Sequence, residues 1–316
     1  MSDSPSTQVI FGTGPLGLAV MRALLSNGKP VRMVNHSGKA EVPAGVEVLG
    51  GDAFQPEFTR SACQGASVVY QCAQPPYHLW PEKFPSLMAS ISQGAAAAGA
   101  KFIFGDNLYM YGEVTGPIHE GLPYAATTRK GRARALLADT VIQANNSGKV
   151  RTAIGRGADF FGPHVLGSVM GDRTILPALQ GKAASITGSL DQPHTFTYIE
   201  DFGRALVILG ERPEALGQIW HVPNAPAVTQ RQFMDLVFQE IGVAPRLSTM
   251  GRLMLSIGGL FIPAAKETVE MLYEFEKPFI VDSSKFEKAF GMQATPLPEA
   301  IRATVAWYRA NMLKAP

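Results

Sequence analysis

The stretch Q-V-I-F-G-T-G-P-L-G, from Gln8 to Gly17, is an apolar run that breaks into three glycines, Gly12, Gly14 and Gly17, with Thr13, Pro15 and Leu16 between them. It reads as strand, turn and helix start. The G-x-G-x-x-G spacing makes sense as a backbone device: Gly12 allows a tight turn, Gly14 lets a pyrophosphate approach the main chain, and Gly17 lets the helix pack close to the strand. A helix over Leu18 to Leu25 would aim its N-terminal amides and dipole at the phosphates. A glycine-rich turn with no ligand has the same composition. Position favours a dinucleotide site, because the turn follows a strand-like run and precedes a second strand, Val31 to Asn35.

Beyond this turn, apolar runs alternate with helix-like segments, the pattern of an α/β fold with a doubly wound parallel sheet covered on both faces. The expected strands are Val9 to Phe11, Val31 to Asn35, Val46 to Leu49, Val68 to Gln71, Lys101 to Gly105 and Val150 to Ile154, with a crossover helix over Pro85 to Gly99. The end of the second strand decides cofactor type, since a carboxylate there would hold ribose hydroxyls and repel a 2'-phosphate. Here it reads Asn35, His36, Ser37, Gly38, Lys39, with donors from Ser37, Lys39 and either His36 or Arg32. That favours NADP(H) over NAD(H), against a solvated loop that is merely basic. Asp52, after the third strand, fits either an adenine-edge contact or a helix cap.

The 316 residues suffice for one large or two modest domains. A hydrophobic fraction of 46%, a charged fraction of 17% and a net charge of +2 provide no basic block to recruit nucleic acid or anionic lipid. Cys63 and Cys72 are too few for a disulfide framework and lack metal-ligand spacing, which points to a reducing cytoplasm and no metal. Met1 to Thr7 has no signal-peptide pattern, and the apolar run Leu253 to Ala265 is too short for a bilayer span. The expected partner is a small-molecule substrate.

Further motifs carry a resemblance. Tyr111-Gly112, Arg156 with Phe161-Gly162-Pro163, Phe196-Thr-Tyr-Ile-Glu-Asp201, Trp220-His-Val-Pro-Asn224, Asp282-Ser-Ser-Lys285 and Trp307-Tyr-Arg309 follow the glycine turn in order. Together the chain resembles an extended, atypical short-chain dehydrogenase/reductase of the NAD-dependent epimerase/dehydratase type, almost end to end. The resemblance implies a Rossmann core of about seven strands over 1–160 and a smaller C-terminal substrate lobe over 161–316, with 194–224 returning to the core. It further implies a substrate cleft between the two. A homodimer through the helices Pro85 to Gly99 and Lys130 to Gln143 is also implied.

The family's proton chemistry rests on a Ser or Thr after the fifth strand and a Tyr-x-x-x-Lys on the next helix. This chain departs from both. Asn107 stands where the hydroxyl residue is expected, and the helix reads T-T-R-K-G-R-A-R-A-L-L-A-D from Thr127 to Asp139. Lys130 falls at the Tyr position and Arg134 at the Lys position, four apart on one helix face. Arg134 would bond the nicotinamide ribose, while Lys130, Tyr109 or Tyr124 would supply the proton and Asn107 would donate to a substrate oxygen. The competing reading is a basic helix face in solvent. Asp106 fits either a loop cap or a site carboxylate.

Ala73 suits close approach to the nicotinamide, and Tyr77 and Trp80, with His78, are candidate pocket walls. His194 occupies the position where sugar-nucleotide members carry a diphosphate-clamping Arg, which disfavours such substrates. The apolar stripe within Met250 to Phe275 reads either as core or as the wall of a pocket for an apolar guest. The leading expectation is an NADPH-dependent reductase of a small, largely apolar carbonyl or activated double-bond compound. The alternatives are a sugar or small-molecule epimerase or dehydratase, and a non-catalytic NADP(H)-sensing or partner-binding protein.

Overall fold

The computed structural model describes residues 6–251 and 269–313. Seven strands form one parallel sheet: β1 (Thr7–Phe11), β2 (Val31–Asn35), β3 (Glu47–Gly50), β4 (Ala66–Gln71), β5 (Lys101–Asp106), β6 (Thr152–Arg156) and the strand Ile219–His221. From the Ile219–His221 edge the order is β6, β5, β4, β1, β2, β3, with every neighbouring pair parallel. Chain order reverses between β4 and β1, the switch point at which such sheets open a crevice at their carboxyl ends. The central strands are buried on both faces, so Val9, Ile10 and Phe11, and likewise Phe102, Ile103 and Phe104, are continuous apolar runs with no polar alternation.

Helices cover both faces. On β5, a Cβ at Gly105 would collide with Leu16 of α1 (Pro15–Ser26) and approach Leu206 of the helix Ile199–Glu211. One residue earlier Phe104 points the other way, meeting Phe84 of α3 (Trp80–Ala97) edge-on at 6.3 Å and lying 6.0 Å from the Arg134 guanidinium of α4 (Arg129–Asn146). This two-residue alternation is the strand period. The remaining helix on the sheet, α2 (Pro56–Ala62), packs on α3.

Two boundaries differ from the sequence reading for physical reasons. Helix α3 begins one turn before Pro85, because Pro81 takes the first-turn position where a missing N–H costs nothing and Pro85 then forfeits a single bond inside the helix. Strand β6 runs on to Arg156, whose charge is accepted inside the sheet because Asp106 lies in register beside it.

The chain divides into two compact units, Met1–Met110 with Arg129–Gly157 and Phe202–Val222, and Tyr111–Thr128 with Ala158–Asp201 and Pro223–Pro316. The second unit has its own core, in which Phe161, Phe196, Tyr198, Phe233, Phe238 and Ile301 pack together. Its motifs are tethers. Thr197 accepts from the Ala158 amide at 2.8 Å and donates to Asn224 at 2.6 Å. Asp201, 1% exposed, accepts from the Thr295 amide at 2.7 Å and the Thr295 hydroxyl at 2.8 Å, just ahead of the helix Leu297–Asn311. On that helix Tyr308 donates to the Val165 carbonyl. Most of the stripe within Met250 to Phe275, Leu253 to Ile262 included, lies outside the described residues, whereas Met271, Leu272 and Phe275 are buried. Among the described residues no helix is long and apolar enough to cross a membrane.

Asp201→Asn removes one of the two acceptors held by Thr295. It is expected to lower unfolding stability by about 1–3 kcal/mol, the range for a buried polar group left unmatched, as a reduced urea midpoint at unchanged slope.

Candidate functional site

The glycine turn assigns each glycine a separate reason. Gly12 has φ +106°, and a Cβ there would stand 2.8 Å from the Ala73 amide nitrogen, so both conformation and space demand glycine. At Gly17 a Cβ would stand 2.0 Å from the Gly12 carbonyl oxygen, far inside van der Waals contact. Gly14 is different. It caps α1 in an extended conformation, φ −78° and ψ −176°, with nothing within 4 Å of the space a Cβ would fill. The fold itself therefore does not require glycine at position 14; the opening lies at the N-terminus of α1, where Pro15 begins the helix and no side chain caps the first-turn amides. An anion with a polar backbone of its own, such as a pyrophosphate, fits this cradle.

Around the turn, the residues expected to touch a dinucleotide separate into two groups. Asn35 is committed within the protein: its amide donates to Thr13 Oγ1 at 3.0 Å and to the Lys39 carbonyl at 2.8 Å, and its Oδ1 accepts from the Gly38 amide at 2.7 Å. It shapes the loop after β2 and fixes Thr13. Arg32, considered as a donor, instead binds Glu47 at 2.6 Å and the carbonyls of Ala62 and Gln64. His36, Ser37 and Lys39 stay exposed at the loop tip. Asp52 holds the turn before α2, accepting from the Phe54 amide at 3.0 Å and Gln55 at 3.2 Å; those bonds lower its pKa, the Phe54 amide first. Ala73 follows β4 against Gly12, its peptide clasped by Gln71.

The second feature is a buried charge cluster at the carboxyl ends of β5 and β6. Asp106, 3% exposed, receives Arg134 at 3.0 Å on one oxygen and Arg156 at 3.3 Å on the other. The Arg134 guanidinium also donates to Gln74 at 3.3 Å and lies 3.9 Å over the Trp80 ring and 4.7 Å over Phe84, while its Nε has no hydrogen-bond partner. Burial pulls the Arg134 pKa down and Asp106 opposes that pull. Lys130, one helical turn earlier and 2% exposed, holds Nζ 4.5 Å over the Tyr77 ring. The solvated basic face is thereby excluded for both residues.

Trp80, expected as a pocket wall, is 3% exposed and forms the surface on which Arg134 lies. Arg134, expected on a ribose, has both terminal nitrogens engaged inside the protein. Asp106 is neither loop cap nor open carboxylate but the anion that permits two guanidiniums to be buried. Asn107 is half-buried, and its Oδ1 accepts from the Tyr109 amide at 3.2 Å. Tyr77 and Tyr109, from the short turns after β4 and β5, meet through their hydroxyls at 3.3 Å and remain half-exposed. Sequence reasoning missed Gln74 and the part Arg156 plays; a charged residue closing an otherwise apolar strand was the available signal.

Tyr124 and His194 belong to the second unit. Tyr124 stacks edge-on against Tyr111 at 6.0 Å. His194, expected to face substrate, is 2% exposed and lies between Phe275 and Phe279, with ring centroids 4.8 and 5.0 Å away. Its Nδ1 lies 3.1 Å from the Glu274 carbonyl and its Nε2 2.9 Å from Asp159. A carbonyl only accepts, so Nδ1 carries hydrogen. His194 is thus a core residue rather than a clamp. Glu274 beside it is buried, and neither carboxyl oxygen has a hydrogen-bond partner. A cavity of about 150 Å³ in this unit is lined by Gly112, Glu113, Thr127, Thr128, Val269, Glu270 and Tyr273, the last three of them within the Met250 to Phe275 stretch considered as a pocket wall.

A dinucleotide fold with this glycine turn defines a class, and comparison with known proteins places the chain within it. Residues 9–222 match the sequence model of the NAD dependent epimerase/dehydratase family, and the chain belongs to that family. It is 27% identical over 167 residues to dTDP-glucose 4,6-dehydratase of Escherichia coli, a match covering 51% of this chain and 41% of that enzyme. Among solved structures it is similar to the Bordetella bronchiseptica enzyme WbmH in complex with NAD+, with a TM-score of 0.76 and 16% identity over 98% of this chain and 100% of the other. UDP-glucose 4-epimerase of Thermus thermophilus, solved with NAD, has a TM-score of 0.77 and 17% identity over 96% and 99%. DesIV, a dTDP-glucose 4,6-dehydratase of Streptomyces venezuelae solved with NAD and TYD, reaches 0.79 at 15% identity over 96% and 97%. At such identities the likeness is one of fold.

Glu274 makes a prediction with a definite sign. Burial first and Asp159 second push its pKa well above the usual carboxylate value. The folded state therefore retains a proton that the unfolded chain releases above about pH 4.3. Stability from this group is full below that pH and falls as pH rises toward the folded pKa, with a slope approaching about 1.4 kcal/mol per pH unit. Glu274→Gln is expected to lose this slope and to gain over wild type as pH rises from 5 to 8 in denaturant titrations. A constant difference between the two across that range would refute the assignment.

Proposed function

We propose that this chain binds a nicotinamide dinucleotide at the glycine turn and acts as an epimerase- or dehydratase-type enzyme on a sugar or other small hydroxyl-bearing molecule. The open space over Gly14 carries the first half of this reading, since that glycine has a ligand reason and no internal one. Gly12, Gly14, Gly17, Thr13, Pro15, Leu16 and Ala73 would form the phosphate and nicotinamide cradle, with Asp52 and the loop His36 to Lys39 toward the adenosine end. Family membership supports the second half. Of the sequence expectations, epimerase or dehydratase chemistry fits the family and its relatives better than net reduction of an apolar carbonyl.

The bound dinucleotide would supply reversible hydride transfer. This chain's residues would do the rest: the Asn107 amide donates to a substrate oxygen, Tyr109 exchanges the hydroxyl proton, and buried Lys130 supplies positive charge beneath Tyr77. Tyr109 is preferred to Lys130 as the group meeting substrate because it is half-exposed whereas the lysine is sealed. One observation favours a second reading of cofactor type. Strand β2 ends without a carboxylate, and exposed His36, Ser37 and Lys39 stand beyond it, a set that would accept the 2'-phosphate of NADP(H). Tyr124 remains a candidate substrate contact, and a homodimer through α3 and α4 a candidate assembly.

Nicotinamide fluorescence on titration with NADPH and NADH tests the proposal. Gly14→Ala is expected to unfold at or above the wild-type midpoint while losing on the order of tenfold or more in affinity, about 1.4 kcal/mol or greater. Gly17→Ala is expected to compromise folding itself. Undiminished binding in Gly14→Ala would overturn the cradle. A panel of sugar nucleotides and small carbonyl compounds then separates the reactions: epimer or dehydrated product without net change in NAD(P)H supports this reading, and stoichiometric NADPH oxidation favours the reductase.

A further inference from the structure

Strands β4 and β5 are sheet neighbours, so the turns that follow them are brought together at the same edge. Each brings a phenol to the meeting point: Tyr77 from Tyr77–Leu79 and Tyr109, the first of two tyrosines, from Tyr109–Tyr111. The hydroxyls meet at 3.3 Å although the residues are 32 apart in sequence. Both rings are half-exposed, and what lies behind them is sealed. Trp80 holds the two rings, edge-on to Tyr77 at 4.7 Å and tilted against Tyr109 at 6.2 Å, and its own Nε1 donates to the Pro75 carbonyl at 3.1 Å. The Asn107 side chain fixes the Tyr109 backbone.

The charges facing this pair come from α4, β5 and β6. Lys130 stands over the Tyr77 ring, and buried Arg134 lies over the Trp80 ring that both phenols contact. Asp106 is the carboxylate of the cluster, and two guanidiniums share it. The ionised forms of Tyr109 and Tyr77 both favour the charged form of Arg134; the interaction is mutual, so the guanidinium favours a phenolate on either ring. A phenolate on one ring would also accept the remaining O–H of the other, a charge-assisted bond that strengthens as the proton leaves.

We propose that Tyr77 and Tyr109 form a coupled phenol pair that replaces the missing Tyr-x-x-x-Lys, with Tyr109 the catalytic residue and Tyr77 a positioning residue acting through it. The assignment rests on the function proposed above. In the oxidative direction the substrate O–H bond breaks and its proton passes to the Tyr109 oxygen. A bound nicotinamide dinucleotide would supply the acceptor for the carbinol hydrogen and its electron pair, leaving a carbonyl. In the return step Tyr109 gives the proton back. Tyr77 donates its hydroxyl hydrogen to Tyr109 while the latter is a phenolate and exchanges no proton with substrate.

Alkaline titration of the tyrosinate absorbance reads the pair without cofactor or substrate. Of the eight tyrosines, buried Tyr70 and Tyr308 have their ionisation pushed upward and stay out of the window. Wild type is expected to ionise one tyrosine below the ordinary phenol value of about 10. Tyr109→Phe should abolish that step, and Tyr77→Phe should leave it present but shifted up by about one pH unit or more. Lys130→Met, judged on samples with native near-ultraviolet circular dichroism, should shift it the same way. The proposal is overturned if wild type shows no early step, or if the step keeps its position in Tyr77→Phe. Dinucleotide binding measured on the same samples keeps the two readings apart: an early, Tyr77-dependent step in a protein that binds neither NADPH nor NADH would sink the proposed function and leave the phenol pair standing.

Discussion

Asp106 stands at the carboxyl end of β5 with a guanidinium on each oxygen, and the arrangement of the first unit's candidate site follows from it. Burying an ion costs several kcal/mol, and removing one partner of such a pair leaves an uncompensated charge. Arg156 can close β6 inside the sheet only because Asp106 lies in register beside it. Arg134 can turn inward from α4 only because Asp106 receives it, and the guanidinium then provides the flat cation on which Trp80 packs. Trp80 in turn positions Tyr77 and Tyr109. One carboxylate thus joins two strands and a helix, and through Trp80 it reaches the two turns that carry the phenols.

The second unit handles titratable groups by the opposite means. His194, Asp159 and Glu274 gather in an aromatic surrounding, and among the described residues no arginine or lysine pairs with them. There, burial and the neighbouring Asp159 push the Glu274 pKa well above the usual carboxylate value. His194, at the position where the resemblance placed a clamping arginine, is part of the core of this unit. The same contrast runs through the glycines: Gly12 and Gly17 are required by the protein's own atoms, whereas Gly14 is required by none of them.

Much of the fold was legible because it rests on local patterns. Apolar runs without alternation mark strands buried on both faces, and all six of the expected strands appear, with ends moved by one or two residues, as where the Asp106–Arg156 pair extends β5 and β6. The candidate site was legible at the glycine turn, where each glycine answers to a backbone geometry. It was less so at Lys130 and Arg134. Their i, i+4 spacing placed them on one helix face, but a basic sequence such as R-K-G-R-A-R carries no mark of which face is buried.

From its residues alone, then, the chain determined a parallel doubly wound sheet, a dinucleotide-type turn and the loss of the usual Tyr and Lys, since these depend on spacing and on which atoms a residue possesses. The tertiary structure decided which contacts the remaining polar residues make. Whether Asp106 caps a loop or anchors two arginines, whether His194 faces a ligand or two phenylalanines, and whether Tyr77 meets Tyr109 are matters of contacts between residues far apart in the chain. Such contacts follow from strand order and register, and no local pattern encodes them.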